Sequence, residues 1–182
     1  PDAQRLAAAL ERALESVGEL SGVTLIWHQD CHVLPTLKEP FGFKDAISQP
    51  AIEGSGIPGT NPRELPFKAG EFILGHLDET GALPAMPEPD VLGRNGTYVA
   101  IRKLHQRVAA FRQFLKASST GPEEEEMLAA KMMGRWRSGA PLALCPVRDD
   151  PARGADPGRN NDFLFRADDP KGLQTPPGCH IR

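Results

Sequence analysis

The sequence predicts an α+β fold, on three observations. A helical period at the start runs into a strand-like segment. Two helical segments lie close together past the middle. Two long tracts dense in proline and glycine separate and follow these elements, and both carry apolar side chains.

Residues 3–17 read as a helix, because Leu6, Leu10 and Leu14 recur every four positions with Ala8, Ala9 and Ala13 beside them. Gly18 and Gly22 frame its end. Residues 23–28 (VTLIWH) are rich in β-branched and aromatic side chains and read as a strand. From Pro35 to Pro66, six prolines exclude a long helix. Phe41, Phe43, Ile47, Ile52 and Ile57 are interleaved, so the tract reads as an ordered loop with a packing role, unlike a linker. Residues 71–74 (EFIL) and 96–102 (GTYVAIR) are predicted strands. Residues 103–117 are a predicted helix with Leu104, Val108, Phe111 and Leu115 on one stripe. The next helix has Thr120 or Gly121 as cap, Pro122 in its first turn, and Glu123 to Glu126 at the positive end of its dipole. It is expected to run to about Arg137, with Gly139 and Pro141 as stops. The last forty residues are irregular, with only 163–165 (FLF) strand-like.

Composition narrows the function classes. The 182 residues are 40% hydrophobic and 25% charged, ordinary for a soluble globular protein. The net charge of -3 gives no basic footprint for nucleic acid or an anionic membrane surface. No apolar run reaches the roughly 20 residues of a membrane span, and the first residues read as an amphipathic helix, not a signal peptide. Cys31, Cys145 and Cys179 form no Cys-x-x-Cys pair, so they read as buried or semi-buried thiols and not as structural zinc or a disulfide framework. The start at Pro1 and the stop after Cys-His-Ile-Arg predict a piece of a longer protein.

The residues alone leave the chemistry open. Asp45, inside the ordered loop, reads either as a turn-forming side chain or as a site acid among apolar neighbours. His28, His32, His76, His105 and His180 show no metal-ligand spacing, although a haem needs only one axial histidine.

The segments GFKDAISQP (42–50), GEFILGH (70–76), GRNGTYVAIRKLHQRVAAFRQFL (93–115), AAKMMGRWRSGAPL (129–142), NNDFLFRADDPKG (160–172) and CHIR (179–182) resemble, in the same order, those of the dye-decolorising haem peroxidases. The match covers about 140 residues and sets Asp45 and His180 135 positions apart. The resemblance implies a pair of ferredoxin-like units of the dimeric α+β barrel type. Residues 1–35 would be the tail of the first, and 36–182 a haem-binding peroxidase domain incomplete at its C-terminus. It implies haem b with one iron per chain. Asp45 matches the distal acid/base and His180 the axial iron ligand. Phe43, Phe72, Ile73 and Gly75 would line the haem pocket with them.

The expected activity is reduction of hydrogen peroxide with oxidation of dyes, phenols or other bulky donors. The alternative is a module that binds haem or handles its iron with little turnover. The partners implied are hydrogen peroxide and an organic electron donor, with no nucleic acid and no membrane span, and with room for a homo-oligomer. Relatives occur in cytoplasm, periplasm and outside the cell, so no compartment is selected. Tyr98, Trp27 and Trp136 are the aromatic residues that could relay electrons, and each reads more simply as core. Three departures from the family pattern stand out. Ala46 replaces the usual glycine, and would strain the loop if the backbone there has φ > 0, although the rest of the motif is intact. Thr-Pro-Pro-Gly-Cys precedes His180. The family's distal arginine lies downstream of the proximal histidine, beyond Arg182.

Overall fold

The computed structural model describes residues 2–31 and 34–181. The chain divides into two compact units, Pro1–Val33 and Leu34–Arg182.

The first unit holds helix α1, Ala3–Gly18. Asp2 caps it, its carboxylate accepting from the Gln4 and Arg5 amides at 3.0 and 3.3 Å. The leucine stripe forms as expected, and Leu6, Leu10 and Leu14 all remain exposed. The predicted strand over 23–28 does not form among the described residues.

The second unit is built on two helices that pack together, α2 (Val108–Ala117) and α3 (Pro122–Met133). Leu115 from α2, Ala129 from α3 and Phe43 from the proline-rich loop form one buried cluster, flanked by Phe41, Phe111, Leu128 and Met133. Ala130, one residue on and about 100° around the helix, faces a second cluster with Trp136, Ala140 and Leu142. Two adjacent alanines thus let α3 be packed on two sides. Short helices α4 (Pro151–Ala155) and α5 (Phe165–Asp168) complete the unit.

Gly121 is the α3 cap, and the Thr120 amide and hydroxyl bond instead to the Glu124 carboxylate, at 2.7 and 2.6 Å. The helix stops four residues earlier than expected. Gly134 adopts φ 98°, a left-handed terminus that glycine reaches without strain. Helix α2 starts at Val108, five residues later than expected; residues 103–107 carry no regular structure, and the Gln106 side chain is engaged by Glu39 at 2.8 Å.

The expected strands are the main difference. Among the described residues there are three isolated bridges, Lys38–Lys44, Ile52–Phe67 and Arg135–Pro141, and no longer ladder. Residues 71–74 are not a strand. A 3₁₀ turn at Ala69–Glu71 leads into a loop that the Gly70 amide closes on the Leu77 carbonyl at 3.0 Å. A Cβ on Gly70 would collide with the His76 carbonyl, and Gly75 takes φ 81°, so the two glycines fold the segment onto itself. Residues 96–102 form no strand among the described residues, and Phe165 opens α5 in place of the predicted strand at 163–165.

Candidate active site

The proline-rich loop is organised by one carboxylate. Glu39 accepts from the Phe41 and Phe43 amides, each at 2.8 Å, and from the Gln106 side chain. The Glu39 amide in turn donates to the Phe43 carbonyl at 3.0 Å. Gly42, at φ 100°, makes the turn, and a Cβ there would lie 2.8 Å from the Arg137 guanidinium. That guanidinium bonds the Phe41 carbonyl, lies 4.8 Å from the centre of the Phe43 ring, and pairs with Glu126 at 2.8 Å. The loop is therefore fixed to α3 by a cation that touches it twice.

Asp45 follows directly. It is exposed, and its carboxylate accepts from the Ala46 amide at 2.7 Å. Ala46 has φ 55°, so the family's glycine position does require a left-handed backbone, and this chain holds an alanine there.

The histidine loop is built differently. Buried Asp169 accepts from the amides of Leu173, Gln174 and Thr175 at 2.8, 3.2 and 2.7 Å. Lys131 on α3 donates to the Leu173 and Gln174 carbonyls. Finally, the His180 and Ile181 amides donate to the Met132 and Met133 carbonyls, each at 2.9 Å. Those carbonyls belong to the last turn of α3, where helical partners run out. His180 is exposed, and its ring makes no hydrogen bond among the described residues.

Asp45 and His180 line one cleft of about 650 Å³. Phe43, Phe41, Phe111, Leu104, Met132 and Met133 give it apolar walls, while Lys44, Arg102, Glu39 and Gln106 supply its polar groups. An imidazole, a carboxylate and apolar walls can together hold a flat apolar cofactor by a metal axial position and leave a proton carrier beside it. Among the described residues no three metal-binding side chains cluster.

Of the residues expected from sequence, Phe43, Asp45 and His180 meet at this cleft. Phe72, Ile73 and Gly75 are not part of its lining, because their segment is the glycine-closed turn described above. Phe72 stacks edge-on against Phe67 at 6.2 Å, and Gly75 abuts the Arg94 side chain. Sequence reasoning missed Met132 and Met133, having run α3 past them; Gly134 was the stop signal. It also missed Glu39, Arg102 and Gln106, for which no pattern in the sequence stood out. Trp136 is core, as read, with its indole N–H on the Cys145 carbonyl at 2.8 Å. Tyr98 and Trp27 are exposed, against the expectation of core. Cys31 is exposed, while Cys145 and Cys179 are half-buried; burial pushes the Cys145 thiol up. No helix among the described residues is long and apolar enough to cross a membrane.

No protein-family model matches the chain. A dye-decolorizing peroxidase of Exidia glandulosa is 41% identical over 133 residues, which cover 70% of this chain and 25% of the relative. One of Mycena epipterygia is 40% identical over 162 residues, covering 79% of this chain and 29% of the relative. The chain thus spans about a quarter to three-tenths of the curated relatives it matches. The solved structure of a dye-decolorizing peroxidase in complex with 2,6-dimethoxyphenol superposes with a TM-score of 0.74 at 31% identity, covering 91% of this chain and 39% of that one. The shared sequence, the shared backbone and the meeting of Asp45 with His180 lead to one conclusion: the chain belongs to the dye-decolorizing peroxidase family.

Proposed function

We propose that this chain carries the haem site of a peroxidase that reduces hydrogen peroxide and oxidises dyes, phenols or other bulky donors. One observation carries the reading: two side chains distant in sequence, Asp45 and His180, share a cleft whose volume of about 650 Å³ lies within the roughly 300–1,000 Å³ of cofactor sites.

The residues fit a haem. His180 would ligate the iron, and its backbone tether to α3 fixes where the imidazole starts. Phe43, Phe111, Met132 and Met133 would contact the apolar macrocycle, and Arg102 and Lys44 are the cations available to its carboxylates. When bound, haem b, one iron per chain, would supply the two electrons that peroxide reduction consumes and regain them from the donor.

Asp45 would take the proton from the near oxygen of the peroxide and return it to the far one, so that the O–O bond breaks heterolytically and water leaves. Its exposed carboxylate and its bond to the Ala46 amide are compatible with that shuttle, since one oxygen stays anchored while the other is free to turn. Tyr98 and Trp27, both exposed, would be the aromatic residues to meet a large donor. We also propose that the apolar segments over 23–28 and 96–102 serve as strands, each in its own ferredoxin-like unit.

The test is haem reconstitution followed by peroxide. A Soret band that changes on adding peroxide is expected, and Asp45→Asn should slow that change by about 10²–10⁴-fold while haem stays bound. An equal rate in the variant removes Asp45 from the mechanism. A Soret band indifferent to peroxide favours the haem-handling alternative, and no Soret band overturns the proposal.

A further inference from the structure

We infer that the turn at the end of α3, Met132 to Arg135, is a single positioning element that sets both His180 and the Asp45 loop, and so fixes their spacing across the cleft. The inference rests on the haem reading above and extends it to Gly134, Arg135 and Asn161, which that reading does not use.

The histidine side is held by backbone. Two consecutive carbonyls, Met132 and Met133, receive the His180 and Ile181 amides at 2.9 Å. The next residue must be glycine for this to happen. Gly134 is buried, and a Cβ there would collide with the Ile181 carbonyl and come within 3.1 Å of the Cys179 Sγ. Its φ of 98° also disfavours any L side chain.

The aspartate side is held by the next residue along. Arg135 is buried and donates to the Gly139 and Asn160 carbonyls, both at 2.9 Å, and to the Asn161 side-chain oxygen at 2.5 Å. A guanidinium only donates, so the Asn161 oxygen must face it and the Asn161 amino group must face away. That amino group donates to the Ile47 carbonyl at 2.8 Å, two residues past Asp45. Asn161 is itself buried, so neither bond exchanges freely with water.

Arg135 has no carboxylate partner among the described residues, and burial pulls its guanidinium down to about 10, still charged near neutrality. Fold stability alone would be served more simply by an apolar side chain, since burying a charge on neutral acceptors is costly. A rigid planar donor that orients one carboxamide accounts for its presence.

The two arms separate experimentally in the haem-loaded protein. Asn161→Asp keeps an oxygen for Arg135 but removes the donor to Ile47. It should slow the peroxide-driven spectral change on the order of 10–100-fold with haem retention unchanged. Gly134→Ala should speed haem loss to a scavenging apoprotein by a similar 10–100-fold and shift the ferric spectrum. Gly134→Asn tolerates the left-handed backbone yet keeps the collision, so it should behave like Gly134→Ala; wild-type haem retention in it would overturn the histidine arm even if the alanine variant folds poorly. Gly59→Ala is the control. Its Cβ would lie 2.6 Å from the Ala51 backbone nitrogen, so it should lower thermal stability without faster haem loss. The inference is overturned if Gly134→Ala loses haem no faster than Gly59→Ala, or if Asn161→Asp reacts with peroxide at the wild-type rate. His180→Ala isolates the underlying reading: unchanged haem loss in that variant defeats His180 as ligand, whatever the α3 turn does.

Discussion

The loop over 39–47 and the segment over 97–106 are both irregular, and they treat their surroundings in opposite ways. The loop turns its polar backbone onto Glu39 and Arg137 and buries Phe43 against Leu115 and Ala129. The segment carries no regular structure, with Tyr98, Val99, Ile101 and Leu104 all exposed. Proline and glycine density marked the first as irregular, yet it holds Asp45 on a fixed frame. Strand propensity to residue 102 and a helical stripe from residue 103 marked the second as regular, yet it forms neither element among the described residues. Local order follows from satisfied backbone groups and buried side chains, and composition is only a guide to either.

Four substitutions break or sharpen that comparison, taken from the largest expected effect. Leu115→Ala empties the fully buried contact beneath the loop and should cost about 3 kcal/mol in urea unfolding. Glu39→Ala strands two amides in a half-buried turn and should cost about 2 kcal/mol. Ala46→Gly relieves the left-handed alanine against a smaller entropic loss and should raise stability by roughly 0.5–1 kcal/mol in the same assay. Ile101→Ser, in the segment over 97–106, should change stability by no more than about 0.5 kcal/mol. A cost for Ile101→Ser equal to that of Leu115→Ala would erase the distinction between the two regions.

The helices were legible in the sequence where both pattern and caps agreed. The leucine spacing of α1 and the Gly121–Pro122–glutamate start of α3 read directly. Gly134 was legible as a stop but was passed over for the later Gly139, and with it went the turn that holds His180. Strands were legible only as propensity. A ladder depends on a second edge that no local pattern supplies, and at 70–76 two glycines closed the chain before one could form. The site was legible in part. Spacing left Asp45 as either turn residue or acid and His180 as unremarkable; the family resemblance singled them out, and the cleft brings them together. Glu39 and Asn161 act through backbone carbonyls and amides, contacts that leave no periodic trace in sequence.

The central claim is that His180 grips iron from the wall of the cleft that Asp45 also lines. The most direct measurement is the iron–histidine stretching band of the reduced haem-loaded chain by resonance Raman. The account predicts that band in the wild type, its loss in His180→Ala, and its persistence in Asp45→Asn. The same band surviving in His180→Ala would contradict it.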